Sequence, residues 1–329
     1  MLGRGLRIVL SFLVATLFLF LFFRNLDLRE VASHARRASP GWLVIAVAMQ
    51  GGHLWLRCLR WRLLLSPLKP RIGFYNLFST TAIGYLVTMV FPLRLGEVLR
   101  PVMLGRREGI SKSGAVATCV LERLMDAMSV AFLLGVYLIF FLDPSATSGS
   151  MQMQQVRRAG LLLGAAMLAA FPALYMLAHH RETIFRWLED RTSRPSAMLP
   201  RLVHGFLSGF DAVKGGRVFT VAWAQSVAIW LVITASIWAS LRSLGLPLGF
   251  ADSLLMMALF TIGIAVPTQG GVGTFEYAGK FGLVTFFEVE PNRAAAAVLV
   301  THVFAVTPVI LVGLAFLWRE GLSLRSVSS

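Results

Sequence analysis

Glu276, with the glycines ahead of it, is the residue in this sequence best placed to do chemistry. Residues 263–276 read GIAVPTQGGVGTFE. An apolar run stops at Pro267, Thr268, Gln269, Gly270 and Gly271 follow, and Glu276 falls three residues after Gly273 inside the next apolar run. Backbone in lipid must satisfy its own hydrogen bonds, so such a break persists only packed in protein or lining a wet cavity. Ionisable residues at membrane depth are costly and mark functional sites by default. Free N–H groups where a helix opens favour an anion, and a lipid phosphate is the nearest one. The plain alternative is an ordinary loop between two spanning helices.

The same pattern occurs earlier. Residues 83–97 read IGYLVTMVFPLRLGE, in which Pro92 ends an apolar run and Arg94, Gly96, Glu97 and Arg100 follow. Paired, short, Gly/Pro-interrupted segments in corresponding halves point to a transporter's binding site. Arg94 and Arg100 suit bidentate binding of phosphate. Glu122, Arg123 and Asp126 stand three and four apart in the next apolar run, so they share a helix face or adjoining faces. Two readings of that trio stand open: an internal salt bridge near the interface, or partners for buried arginines at the site. Glu97, Glu122, Asp126 and Glu276 would pair the arginines while the site is empty or take up protons during transport. Lys280, one turn beyond Glu276, is a candidate partner for it.

Motifs of soluble catalysis are missing. The sequence has no GxSxG elbow, no HExxH, no paired-cysteine metal spacing and no Walker lysine. Residues 270–273 superficially resemble a phosphate loop, yet no strand precedes them and no Lys-Ser/Thr follows. Cys58 and Cys119 lie in apolar surroundings and read as inert packing residues. The expectation is a protein with no cofactor, no metal and no enzymatic activity.

The elements that would position these residues are membrane helices. The chain of 329 residues is 57% hydrophobic and 14% charged, with mean hydropathy +0.72; soluble domains do not have this composition. Apolar runs recur from residue 8 to residue 318, so a single polytopic membrane domain takes residues 1–329. A net charge of +15 reflects cytoplasmic loops and anionic headgroups. No nucleic acid is expected, since no motif interleaves aromatic with basic residues.

Full spans are expected over residues 8–23, 42–65, 115–142, 159–178, 218–244 and 294–318. Residues 8–23 are read as a retained span rather than a signal peptide because no small-residue cleavage site follows. Residues 24–40 read as a mixed-charge loop. Trp55 and Trp61 suit an interfacial belt, while Arg57, Arg60 and Arg62 read as a cytoplasmic topology signal. Residues 74–91 as a full span would place the basic stretch 94–112 outside; a re-entrant hairpin removes the conflict. Residues 250–266 plus 282–288 make the second interrupted pair. Residues 179–217 carry seven Lys/Arg and include an amphipathic interfacial helix at about 199–213. The fold class is therefore an all-α integral membrane protein of about six full spans plus two re-entrant hairpins, about eight apolar segments in all. Approximate halves 1–142 and 159–329 start from opposite sides of the membrane, which makes them inverted repeats. Both termini are expected in the cytoplasm, at a bacterial inner membrane.

With Pro92, Arg94, Gly96, Glu97 and Arg100-Pro101, then Glu122-Arg123 with Asp126, then Pro267 through Glu276, the chain resembles the flippase-like membrane domain of lysylphosphatidylglycerol synthases and its stand-alone relatives. The likeness covers essentially the whole chain. In that family the last motif usually reads Pro-x-Pro-Gly-Gly-x-Gly-x-x-Glu, and Gln269 here replaces the second proline. The resemblance implies a lipid-translocating fold with re-entrant hairpins. It does not imply synthase activity, which in the fused enzymes belongs to a soluble C-terminal domain.

The leading expectation is a lipid flippase or transporter that moves a polar, phosphate-bearing headgroup through a cavity between the two hairpins. Arg94, Glu97, Arg100, Glu122, Arg123, Asp126, Gln269, Gly270, Gly271, Gly273 and Glu276 would line that site, with helix breaks at Pro92 and Pro267. The partners would be membrane lipids (phospholipid, glycolipid or isoprenoid lipid), a lipid-biosynthesis enzyme and a second copy of the chain. A membrane-embedded lipid-modifying enzyme and a non-transporting scaffold are the alternatives.

Overall fold

A computed structural model describes residues 4–91, 94–141 and 216–322, together with single positions between 158 and 183. Among these residues the secondary structure is helical and contains no strand. The expected span at 159–178, the expected interfacial helix at 199–213 and Pro92 lie outside them, in whole or in large part.

Helix α1 (Arg4–Phe23) is followed after a short break by α2 (Leu28–Arg36). Then come α3 (Pro40–Leu64), α4 (Phe74–Val90), α5 (Gly96–Glu108) and α6 (Lys112–Phe140). Beyond the intervening segment are α7 (Gly216–Ser243), α8 (Asp252–Ala265), a 3-10 turn at Gln269–Gly271, α9 (Thr274–Phe287) and α10 (Pro291–Arg319). Helices α3, α6, α7 and α10 are each long and apolar enough to cross a membrane, and the bent α1–α2 pair is a fifth candidate. The chain is a multi-pass membrane protein. Helices α4, of 17 residues, and α8, of 14, fall short of the roughly 20 residues a full crossing takes.

Helix α2 differs from expectation, because residues 24–40 were read as a loop. The Asp27 side chain caps it, accepting from the Arg29 and Glu30 N–H groups. Val31 is buried with Phe22, Ala295 and Ala296, and that packing holds the short helix in place. Charges every few residues hide such an element from a reading based on hydropathy.

The chain forms two compact units: one of Met1–Leu54, Ala82–Glu97 and Leu231–Ser329, the other of Trp55–Thr81 and Val98–Trp230. In the first, Phe22, Val31 and the alanines of α10 make a core, and Trp42 meets Trp238 edge-on at 5.3 Å. In the second, two cores form. Leu121 and Met125 of α6 pack with Leu64 and Phe219, and Cys58, Trp61, Leu104 and Cys119 pack together. Outward-facing apolar side chains such as Phe20, Val44 and Phe140 are left exposed, as lipid contact requires.

Candidate functional site

Five charged side chains lie buried together in the second unit. Helix α3 brings Arg57 and Arg60 to the face of α6 that carries Glu122 and Asp126. Arg60 donates through Nη1 to Asp126 Oδ1 at 2.6 Å and to Ser226 Oγ at 2.7 Å, and through Nη2 to Glu122 Oε1 at 3.2 Å. Arg57 Nη1 donates to Asp126 Oδ2 at 2.9 Å, and the Trp230 indole N–H reaches Asp126 Oδ1 at 3.2 Å. Arg100 of α5 donates to Glu122 Oε2 and to Cys119 Sγ, its guanidinium 4.0 Å above the Trp61 ring. Side-chain exposure is 0% for Arg60 and Glu122 and 6% for Arg57, Arg100 and Asp126. Removing one member of such a cluster leaves an uncompensated buried charge, which costs about 3–5 kcal/mol. Arg123 sits at the rim, 3.4 Å from Asp126 and 36% exposed.

The glycine-rich break lies in the first unit and is knotted by its own side chains. After α8, Val266 is extended, and the Ser11 hydroxyl donates to the Pro267 carbonyl at 2.7 Å. Thr268 and Thr274 join hydroxyls across the turn at 3.2 Å. Gly273, at φ +86°, presses on α1, where a Cβ would stand 2.5 Å from the Ala15 carbonyl oxygen. The Gly273 N–H donates to Glu276 Oε2 at 2.7 Å. His302 of α10 completes the knot. Its Nδ1 lies 2.5 Å from Glu276 Oε1 and its Nε2 lies 3.0 Å from the Gly270 carbonyl. The Gly270 oxygen can only accept, so Nε2 carries a hydrogen; the Nδ1–Oε1 pair then shares one proton, as imidazolium–carboxylate or as imidazole–carboxylic acid. Phe275 stacks between the rings of Phe260, at 4.1 Å, and His302, at 4.4 Å.

Both helix breaks fall in this unit, and they touch. A Cβ on Gly270 would lie 3.3 Å from the Met89 carbonyl at the end of α4. A glycine makes a close approach at each break: Gly96 lies against the Gly84 carbonyl and Gly263 against Thr274. Beside them Arg94 holds a left-handed backbone at φ 54° and pairs with Glu97 at 2.9 Å, both about one-third exposed.

The structure gathers Arg100, Glu122, Arg123 and Asp126 in one place. In the other unit it gathers Gln269, Gly270, Gly271, Gly273 and Glu276, with Arg94 and Glu97 near the α4 end of the same unit; Pro267 lies two residues beyond the end of α8. Four readings change. Arg57 and Arg60, taken for a topology signal, are buried among carboxylates. Trp61, assigned to an interfacial belt, is fully buried. Lys280 donates to the Phe22 carbonyl at 2.5 Å rather than pairing with Glu276. The Gly273 N–H at the start of α9 is taken by the chain's own Glu276 side chain. His302 and Trp230 are not among the site residues expected from the sequence; an ionisable side chain in the most apolar span was the available signal for His302.

Such an arrangement, helical and multi-pass, with buried charge and paired helix breaks, defines a polytopic membrane protein. The chain belongs to the family described as the lysylphosphatidylglycerol synthase TM region, which it matches over residues 8–313. It is similar to the glycosyltransferase AglD of Haloferax volcanii, at 27% identity over 91% of this chain and 52% of that protein. It is also similar to a UPF0104 membrane protein of Methanothermobacter thermautotrophicus, at 22% identity over 87% of each chain. The chain thus spans about half the length of the glycosyltransferase relative. These relatives are archaeal, so the likeness is not confined to bacteria. The expectation of no enzymatic activity is corrected here. A relative over most of this chain is named a glycosyltransferase, and missing motifs of soluble catalysis are no argument against an enzyme.

Proposed function

We propose that this protein moves a lipid with a phosphate-bearing headgroup across the membrane, the headgroup passing at the two helix breaks. The observation that carries this reading is the meeting of Gly270 with the end of α4, the one-third-exposed Arg94–Glu97 pair following a few residues along the chain. Lipid tails would remain in the bilayer while Arg94 engages the phosphate bidentately. Short, broken helices of this kind make the central sites of secondary transporters. In this reading α4 with α5, and α8 with α9, are re-entrant hairpins within inverted repeats of one membrane domain. Both termini face the cytoplasm in this reading. Headgroup-labelled lipids in proteoliposomes test the idea: loss of movement in a folded Arg94→Ala variant supports it, and undiminished movement removes the site.

The name of the Haloferax relative favours a second reading, transfer of a sugar to or from a membrane lipid. Glu276, which shares a proton with His302, is the residue in the first unit suited to acid–base work. Mass spectrometry of lipid incubated with protein and an activated sugar donor separates the readings, since only transfer changes the lipid's mass.

A further inference from the structure

Helix α2 sorts its residues by face. Val31 packs into the core with Phe22, Ala295 and Ala296, and Ala35 lies partly buried beside them. Arg29, Ala32, Ser33, Arg36 and Arg37 line a surface hollow of about 390 Å³. Spacings of three, four and seven put the arginines and Ser33 on one helix face. The acidic groups nearby are already engaged. Asp27 accepts from the Arg29 and Glu30 N–H groups at 2.8 and 3.4 Å. Glu30 accepts from Asn292 Nδ2 at 2.6 Å, and Glu290 caps α10. No carboxylate among the described residues forms an ion pair with Arg29, Arg36 or Arg37. Three guanidinium groups thus face one hollow.

Its place in the membrane suggests what fills it. Helix α2 leaves the apolar α1 at 86°, so a spanning α1 sets α2 parallel to the surface at headgroup depth, where a short amphipathic helix is stable. Arginine forks match phosphate oxygens bidentately, and lipid phosphates lie at that depth.

We propose that Arg29, Ser33, Arg36 and Arg37 bind the phosphate of an anionic membrane lipid. This surface site is separate from the breaks at Gly270 and Met89, and it stands whether or not lipid is translocated there. The full chain in detergent micelles, titrated by native mass spectrometry with dioctanoyl phosphatidylglycerol, dioctanoyl phosphatidylcholine and inorganic phosphate, tests it. Phosphatidylglycerol is expected to bind the wild type and to bind the Arg29→Gln/Arg36→Gln/Arg37→Gln variant at least about tenfold more weakly. A control triple, Arg24→Gln/Arg62→Gln/Arg217→Gln, removes equal charge elsewhere and should bind as the wild type does. Arg36→Glu alone supplies the same comparison should the triple variant fail to elute as a single folded species. Equal binding by wild type and the site variants, or equal loss in the control, overturns the site. Inorganic phosphate competing as strongly as phosphatidylglycerol overturns the lipid assignment and leaves a free-anion site.

Discussion

At the scale of single residues, buried charge and backbone strain make separable demands. Asp126 accepts from Arg57, Arg60 and Trp230, so Asp126→Ala should cost about 3–5 kcal/mol. Thermal unfolding in detergent should show a large fall in midpoint, against a small one for Arg123→Ala at the rim. Arg94 is a non-glycine residue at φ 54°, a conformation costing roughly 1–2 kcal/mol. Arg94→Gly should therefore be at least as stable as the wild type yet lose transport, the pattern expected where strain serves function; a variant both stable and active would contradict that. Glu108 donates a pH test outside the spanning helices. Lys69 and then Asn76 hydrogen-bond its carboxylate, which lowers its pKa below the ordinary glutamate value. The stabilisation is present above the ordinary value and is lost as pH falls through the lowered one. The difference in melting midpoint between wild type and Glu108→Gln should shrink on acidification from pH 7 to about pH 3. The carboxylates and Arg100 were legible in the sequence because charge in an apolar run is conspicuous. Arg57 and Arg60 were not, because arginines near a helix end carry the same signature as a topology signal.

At the scale of elements, the hairpins depend on close backbone approach. Gly273 combines φ +86° with a neighbouring carbonyl where a Cβ would sit, so Gly273→Ala should cost roughly 1–2 kcal/mol for backbone conformation alone, with the clash added. Gly41 has open space around its Cβ position, and Gly41→Ala should leave melting and elution unchanged. Equal melting of the two variants would show that the glycine loop is looser than its contacts indicate. The four long spans were readable because each is a sustained apolar run, and Pro267 marked the end of α8. Helix α2 was not readable: its stability comes from the Asp27 cap and the burial of Val31 against α10, a contact about 265 residues away in sequence. His302 was hidden for the same reason, since its partners Glu276 and Gly270 lie on other elements.

At the scale of the molecule, composition alone placed the chain in a membrane, and membership of the lysylphosphatidylglycerol synthase TM region family agrees with that. Lipid movement is the function proposed from the broken helices, and sugar transfer is the alternative proposed from the name of the Haloferax relative. If six spans and two re-entrant hairpins are present, tags at the two termini should be labelled from the same side of the membrane; labelling from opposite sides would require an odd number of crossings. Movement of a lipid headgroup at the two breaks is the proposed activity. Its most direct test is a leaflet-resolved quenching assay in proteoliposomes, with a panel of headgroup-labelled lipids and Arg94→Ala beside the wild type. The expected result is movement of one headgroup class faster than in protein-free vesicles, lost in a variant that melts like the wild type. Movement of no lipid by folded protein, or equal movement by the variant, would contradict it.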